Sequence, residues 1–143
     1  MSKYKISKHK PIGPTNVYSY FVGSNPPTSF NPTSIYPSID KTAFISPFSS
    51  IIGDVKIDAE VFIGCNTTLR ADEGTAFYIG SKTNIQDGAT LHGLKNMKFT
   101  VNKKEYSIYI ENEVSIAHGA LIHGPCEIGK HTSELQSQPW SRM

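Results

Sequence analysis

Three histidines in the second half of the chain, His92, His118 and His123, are the residues best suited to do chemistry. Imidazole nitrogens bind zinc at about 2.0–2.1 Å, and a catalytic zinc site holds three protein ligands and leaves one position open. Gln86 and Asp87, which could orient ligands or substrate, shortly precede them in the sequence. A single surface histidine is usually only a solvated side chain, so the hypothesis of a metal site depends on whether the fold brings these residues together.

A six-residue repeat predicts how the fold could do this. Aliphatic residues recur at every sixth position in three blocks, and where the repeat is uninterrupted a small or β-branched residue follows each by four positions. The blocks are Ile45, Ile51, Ile57, Ile63 and Leu69, then Ile79, Ile85 and Leu91, then Ile110, Ile116, Ile122 and Ile128. A period of six fits neither an α-helix nor a β-meander and is typical of a hexapeptide parallel β-helix. Twelve phased aliphatic residues argue against chance spacing in an ordinary β-sandwich.

The repeat also works as a ruler, because three hexapeptides form one triangular coil of about 18 residues. Leu69 and Leu91 are 22 residues apart, which is one coil and a four-residue insertion. Leu91 and Ile122 are 31 residues apart, which is one coil and a thirteen-residue insertion. The residues that directly follow these three should form an outward column with rungs about 4.8 Å apart. This column consists of Arg70, His92 and His123.

Two imidazoles on neighbouring rungs, those of His92 and His123, could share one metal ion. The candidate for a third ligand is His118, which lies five residues before His123 and around a corner of the coil. It could serve the site in its own chain, or a neighbouring subunit could supply it instead. The same count places Gln86 beside Ala117 and Asp87 beside His118, close to that corner.

Composition excludes several other classes of protein. The chain has 143 residues, 38% of them hydrophobic and 18% charged, with a formal net charge of +2. This balance argues against a disordered chain and against a nucleic-acid or acidic-membrane partner. Two cysteines are too few for a disulfide framework or a four-cysteine zinc site. No apolar stretch is long enough to span a membrane, and no signal peptide is expected, so we predict a cytoplasmic protein.

Residue composition and the hexapeptide pattern divide the chain into three segments. Residues 1–42 hold six of the nine prolines, and we expect an extended Pro-rich segment there. Residues 43–132 should form the β-helix domain of about four coils, with a protruding loop at 94–107. Residues 133–143 carry no hexapeptide pattern and form a non-repeat tail.

Three motifs resemble those of the γ-class carbonic anhydrases and of the related carboxysome scaffold domain. They are Arg70-Ala71-Asp72-Glu73-Gly74, Asn84-Ile85-Gln86-Asp87-Gly88, and the segment from His118 to His123-Gly124-Pro125. The stretch from Asn25 to Pro32 is similar to the archaeal members. The resemblance extends from about residue 25 to residue 132.

The resemblance implies an all-β, left-handed parallel β-helix that forms a homotrimer and hydrates carbon dioxide reversibly to bicarbonate. One zinc, or iron or cobalt, is implied at each subunit interface. His92 and His123 of one subunit would bind it, and His118 would serve the neighbouring subunit's site. Catalytic roles are implied for Glu73, Gln86, Arg70 and Asn84. Structural roles at the interface are implied for Asp72 and Asp87.

The sequence departs from the family pattern in two places. Lys95 stands where the archaeal enzymes have a glutamate that is proposed to export protons, so slower proton export is expected. The family continues into further coils and a C-terminal helix, whereas Glu134 occupies the next aliphatic position of the repeat here. We therefore expect no C-terminal helix, an uncapped end of marginal stability and impaired activity.

Two other functions are compatible with the same solenoid. One is a non-catalytic trimeric scaffold or bicarbonate-binding module. The other, which is less well supported, is a hexapeptide acyltransferase with a catalytic histidine and a coenzyme A site, since acyl transfer does not require the motifs around Arg70 and Gln86.

Overall fold

The hexapeptide repeat folds into short strands joined by tight corners. The computed structural model describes residues 19–129, in which fifteen strands are present. Their bounds are β1 (Phe21–Gly23), β2 (Ser38–Ile39), β3 (Phe44–Ile45), β4 (Ser50–Gly53), β5 (Val55–Ile57), β6 (Phe62–Ile63), β7 (Thr68–Ala71), β8 (Ala76–Ile79), β9 (Asn84–Ile85), β10 (Thr90–His92), β11 (Phe99–Val101), β12 (Lys104–Ile110), β13 (Ser115–Ile116), β14 (Leu121–His123) and β15 (Cys126–Ile128).

These strands form the three faces of a triangular solenoid. The first sheet has the order β1-β4-β7-β10-β14, the second has β2-β5-β8-β12-β15 with β11 at its side, and the third has β3-β6-β9-β13. All pairs are parallel except β11 with β12. Every strand except β11 bonds to a strand one coil away, and the predicted fold class, an all-β, left-handed parallel β-helix, is confirmed.

The aliphatic ladder predicted from the sequence fills the interior. Every predicted inward residue from Ile51 to Ile128 is at most 2% exposed, and Ile45 is partly buried against the same core. The small corner residues are also buried, at Ser49, Val55, Val61, Thr67, Thr83, Ala89, Val114 and Ala120, and Cys126 is partly buried. Burial of apolar surface along this ladder, which contributes about 25 cal/mol per Å², is the main force that holds the coils together.

The corners use one recurrent backbone conformation. A residue with positive φ stands three positions after an inward aliphatic residue, and most of these are not glycine. They are Phe48, Glu60, Asn66, Lys82, Gly88, Glu113 and Gly119. Glycine adopts this left-handed conformation without steric cost, and it is found at Gly88 and Gly119, the two stacked corners nearest the predicted third ligand.

The proline-rich segment contributes to the solenoid more than the sequence analysis predicts. Strand β1 pairs with β4, and β2 pairs with β5, so both extend sheets that were expected to begin after residue 42. Ile39 lies six residues before Ile45 and faces the core as a partly buried member of the same ladder. The repeat therefore starts one hexapeptide earlier than the predicted boundary.

The insertion at 94–107 contains a β-hairpin, where the sequence analysis predicts a loop. Strands β11 and β12 pair antiparallel, with Phe99 opposite Tyr106 and Val101 opposite Lys104. The two turn residues, Asn102 and Lys103, have φ of 49° and 69°. Two consecutive positive φ angles give the turn the twist that suits a two-residue hairpin.

Some predictions fall outside the described residues. These are the N-terminal part of the proline-rich segment, the last residues of the predicted β-helix domain at 130–132, and the tail at 133–143, which includes Glu134. Across residues 19–129 there is no helix with the length and apolar character needed to cross a membrane.

Candidate metal centre

The column of polar residues predicted on the first sheet is present. Thr90 and Leu91 of β10 pair with β7 on one side and β14 on the other, so His92 lies between Arg70 and His123 in register. The preceding residues of all three strands point into the core, which turns the column outward because side chains alternate along a strand.

His92 and His123 face one another on adjacent rungs. Their ring centroids are 5.3 Å apart, and the ring planes make an angle of 68°. The side chain of His92 is only 15% exposed, whereas His123 lies at the surface. Nε2 of His92 is buried and has no hydrogen-bond partner within the described chain. An unpaired buried nitrogen costs about 1–3 kcal/mol, so this atom is suited to bind a ligand.

Two acidic residues that follow β7 lie beside this nitrogen. Nε2 of His92 is 3.4 Å from Oε2 of Glu73 and 3.7 Å from Oδ1 of Asp72. Arg70 donates from Nε to Oδ2 of Asp72 at 3.1 Å. The backbone N–H of Lys95, just after β10, donates to Oε1 of Glu73 at 3.1 Å. Both carboxylates are thus fixed in place by one oxygen each.

The loop that carries these acids is tied to the N-terminal segment. Asn31 is 9% exposed, and its Nδ2 donates to the backbone oxygen of Asp72 at 3.1 Å. A turn within the segment supports Asn31, because its backbone exchanges hydrogen bonds with Thr28. The segment therefore positions the acidic loop from outside the coil.

The other predicted site residues lie on the third sheet and on the corner after it. Nε2 of Gln86 donates to Oγ of Ser115 at 3.3 Å. Oδ1 of Asp87 accepts from the backbone N–H of Cys65 at 2.9 Å, which ties one corner to the corner below. Oδ1 of Asn84 is buried without a hydrogen-bond partner among the described residues.

His118 lies on the corner above Asp87. The N–H of Gly119 donates to the backbone oxygen of Asp87 at 2.9 Å, which agrees with the register counted from the sequence. The imidazole of His118 is exposed. Across residues 19–129 of one chain, the cluster of possible metal ligands consists of Asp72, Glu73 and His92, and neither His118 nor His123 is part of it.

One chain therefore carries two separate groups of predicted site residues. The column group comprises Arg70, Asp72, Glu73, His92 and His123. The corner group comprises Asn84, Gln86, Asp87 and His118. The register count places the histidine column correctly, whereas the position of Glu73 near the metal site was implied by the family resemblance alone. One feature of the sequence could have indicated it. Both acids lie in the four-residue insertion that directly follows β7, and Arg70 of β7 is the register partner of His92.

The donor set of the column group fits a divalent metal. The unpartnered atoms are Nε2 of His92 and Oδ1 of Asp72, a nitrogen and an oxygen donor of the kinds that zinc, iron and cobalt accept. Neither cysteine belongs to the cluster of possible metal ligands among the described residues, and burial raises the pKa of the Cys126 thiol. Both cysteines, Cys65 and Cys126, are free.

Comparison with known proteins gives three informative relatives. The chain is 46% identical over 108 residues to the carboxysome assembly protein CcmM of Nostoc sp., covering 75% of this chain and 20% of that protein. It is 39% identical over 121 residues to a carbonic anhydrase of Methanosarcina thermophila, covering 78% and 49%. It is 38% identical over 98 residues to the mitochondrial gamma carbonic anhydrase 1 of Arabidopsis thaliana, covering 67% and 33%. The chain spans at most about half the length of these relatives. No family profile matches it.

Proposed function

Because the chain belongs to the γ-class carbonic anhydrase family, we propose that it binds a divalent metal and hydrates carbon dioxide reversibly to bicarbonate. The observation that carries the proposal is the buried, unpartnered Nε2 of His92, with the ring of His123 on the next rung. The cytoplasmic location of the protein stays a prediction from the sequence.

The separation of the two residue groups supports a site that is shared between subunits, and the family resemblance implies that the oligomer is a homotrimer. Within one chain His92 and His123 are neighbours, whereas His118 is exposed on a different part of the coil. A second copy that packs its corner group against the column group would supply the third histidine. We propose that each such interface binds one metal, through His92 and His123 of one subunit and His118 of its neighbour.

Zinc, iron or cobalt at this position supplies a Lewis acid that lowers the pKa of water towards neutrality. Glu73 is placed to accept a proton at Oε2, because its Oε1 is already held by the Lys95 amide. Arg70 keeps Asp72 in a fixed orientation through the 3.1 Å ion pair. Lys95 offers no carboxylate for proton export, and its ammonium group lies 5.6 Å from the ring centre of Phe30.

The corner group would act on the neighbouring subunit's centre. Gln86 can turn its amide towards substrate after giving up the long 3.3 Å contact with Ser115. Oδ1 of Asn84 accepts no hydrogen bond from residues 19–129 and can hold a water proton. Asp87 serves structure, because its carboxylate caps the N–H of Cys65.

A non-catalytic assembly or bicarbonate-binding module is the second candidate. The observation that favours it is the 46% identity to a carboxysome assembly protein over three quarters of the chain. Such a module would keep the trimer and the metal ligands but would not turn over carbon dioxide.

Metal content, oligomer mass and carbon dioxide hydration measured on one sample test the proposal. We expect a trimer with about one metal per chain and hydration detectable by stopped flow. His92→Ala should lose the metal, whereas His9→Ala, which removes a histidine that is not a proposed ligand, should keep it. A wild-type chain that binds no metal after anaerobic supplementation with zinc or iron would refute the proposal. Trimers with metal but without hydration would instead establish the assembly module.

A further inference from the structure

Asp72, Glu73 and His92 share an arrangement in which each side chain keeps one free ligand atom. Asp72 accepts a hydrogen bond from Nε of Arg70 at Oδ2, and its Oδ1 is buried without a hydrogen-bond partner in the described chain. Oε1 of Glu73 accepts a hydrogen bond from the backbone N–H of Lys95, and Oε2 lies beside His92. Nε2 of His92 is likewise buried and unpartnered. Contacts that fix one atom of a side chain orient its other atom towards a metal.

The two separations from Nε2 of His92 to the carboxylate oxygens are too long for hydrogen bonds, and they lie within or just above the range expected for ligands that share one ion. Nε2 of His92 lies 3.4 Å from Oε2 of Glu73 and 3.7 Å from Oδ1 of Asp72, and all three atoms lie within 4.8 Å of one another. Hydrogen bonds of this kind are shorter, at about 2.7–3.2 Å. Two ligands bonded at about 2.1 Å to one ion, with angles between about 90° and 120°, lie roughly 3.0–3.6 Å apart.

We propose that a single chain captures a divalent cation through Oδ1 of Asp72, Oε2 of Glu73 and Nε2 of His92, without a ligand from another subunit. Two carboxylates and one imidazole form an oxygen-rich set that suits Mn²⁺ or Fe²⁺. The inference rests on the proposed function, because His92 belongs to both ligand sets. It adds a binding state that exists before subunits assemble, and the ring centre of His123 lies 5.3 Å from that of His92.

The two ligand sets can be separated by removing the histidines that only the intersubunit centre uses. His118 and His123 are both exposed, so the double variant His118→Ala/His123→Ala should fold. Mn²⁺ titration, followed by the electron paramagnetic resonance signal of the free ion, measures binding without any activity readout. We expect this variant to bind about one Mn²⁺ per chain.

Adding Glu73→Gln to that background should weaken Mn²⁺ binding at least about tenfold, as expected when an oriented ligand loses its charge. The matched control is Glu60→Gln, an exposed glutamate whose contact with Lys82 is 3.9 Å long. It should bind Mn²⁺ like the background. Asp72→Asn provides a second test, with the same direction of change.

Either of two results would overturn the inference: no Mn²⁺ binding by the double variant, or unchanged binding after Glu73→Gln. Both results are distinguishable from failure of the proposed function. If the wild type binds zinc through His92 while the double variant binds no Mn²⁺, the intersubunit centre stands and only the single-chain site is rejected.

Discussion

Replacing Gly64 by alanine should disturb the corner that carries Gln86 and Asp87. A Cβ at residue 64 would lie 2.4 Å from Oδ1 of Asp87, 2.6 Å from its backbone nitrogen and 2.8 Å from the carbonyl carbon of Gln86. Two of these three atoms belong to the backbone of the next coil, so a rotation of the Asp87 side chain alone cannot relieve the contact. The coil above Gly64 must shift.

The expected cost follows from two opposing effects. Overpacking of a rigid site costs about 1–3 kcal/mol. Alanine also restricts the unfolded chain, which returns about 0.4–1 kcal/mol. We therefore expect Gly64→Ala to lower the free energy of unfolding by about 1–2 kcal/mol. A shifted corner should also move the proposed third ligand, because Gly119 bonds to the backbone of Asp87.

Gly80→Ala is a closely matched control. A Cβ there would lie 2.5 Å from Oδ1 of Asn112 and 2.6 Å from the carbonyl carbon of Glu111. The side chain of Asn112 caps the N–H of Ser81 at 2.9 Å, as that of Asp87 caps Cys65. This corner carries none of the predicted site residues.

Urea denaturation and zinc content, measured on both variants, check the prediction. Both should be destabilised by a similar amount, and only Gly64→Ala should also bind less zinc. A Gly64→Ala variant as stable as the wild type would contradict the predicted steric cost. Equal loss of zinc in Gly80→Ala and Gly64→Ala would contradict the predicted link between the Asp87 corner and the metal site.

Three further outcomes are expected. Asn31→Ala removes the hydrogen bond to the Asp72 backbone and should cost about 0.5–1.5 kcal/mol in urea denaturation, with weaker Mn²⁺ binding in the same preparation. Ile85→Ala empties a position that is 0% exposed and should cost about 2–5 kcal/mol by the same assay, whereas Ile35→Ala, at 39% exposure, should cost far less. Burial and the hydrogen bond to Asp58 raise the pKa of Tyr78, so the folded state favours the neutral phenol. The stabilisation from Tyr78 should be complete below pH about 10 and fall at higher pH. Stability measured against pH should fall less steeply there in Tyr78→Phe, and equal slopes would contradict this assignment.

The inward ladder was predictable because a strict period of six leaves only one solution for burying Ile and Leu. The same count correctly aligned His92 with Arg70 and His123, since parallel strands one coil apart must bond in register. The start of the solenoid was missed at Ile39, whose spacing to Ile45 obeys the rule but whose surroundings are rich in proline and serine.

The insertions could not be predicted in the same way, because they obey no repeat. The hairpin of β11 and β12 turns at Asn102 and Lys103 without the glycine that usually marks such a turn. The four-residue insertion after β7 sets where Asp72 and Glu73 point, and its course depends on the contact with Asn31. These are tertiary contacts between distant parts of the chain, which local sequence patterns do not encode.

The stacking of coils also determines how the molecule would respond to mechanical load. Apart from the β11 pairing, the strand hydrogen bonds connect one coil to the next, so tension along the axis would peel the solenoid coil by coil. An uninterrupted coil of about 18 residues would release roughly 60 Å of chain, at about 3.3–3.6 Å per residue. The coils of 22 and 31 residues would release roughly 75 and 105 Å. The insertions therefore give the two interrupted coils extension lengths that differ from each other and from those of the uninterrupted coils, so their rupture could be identified in a force–extension trace.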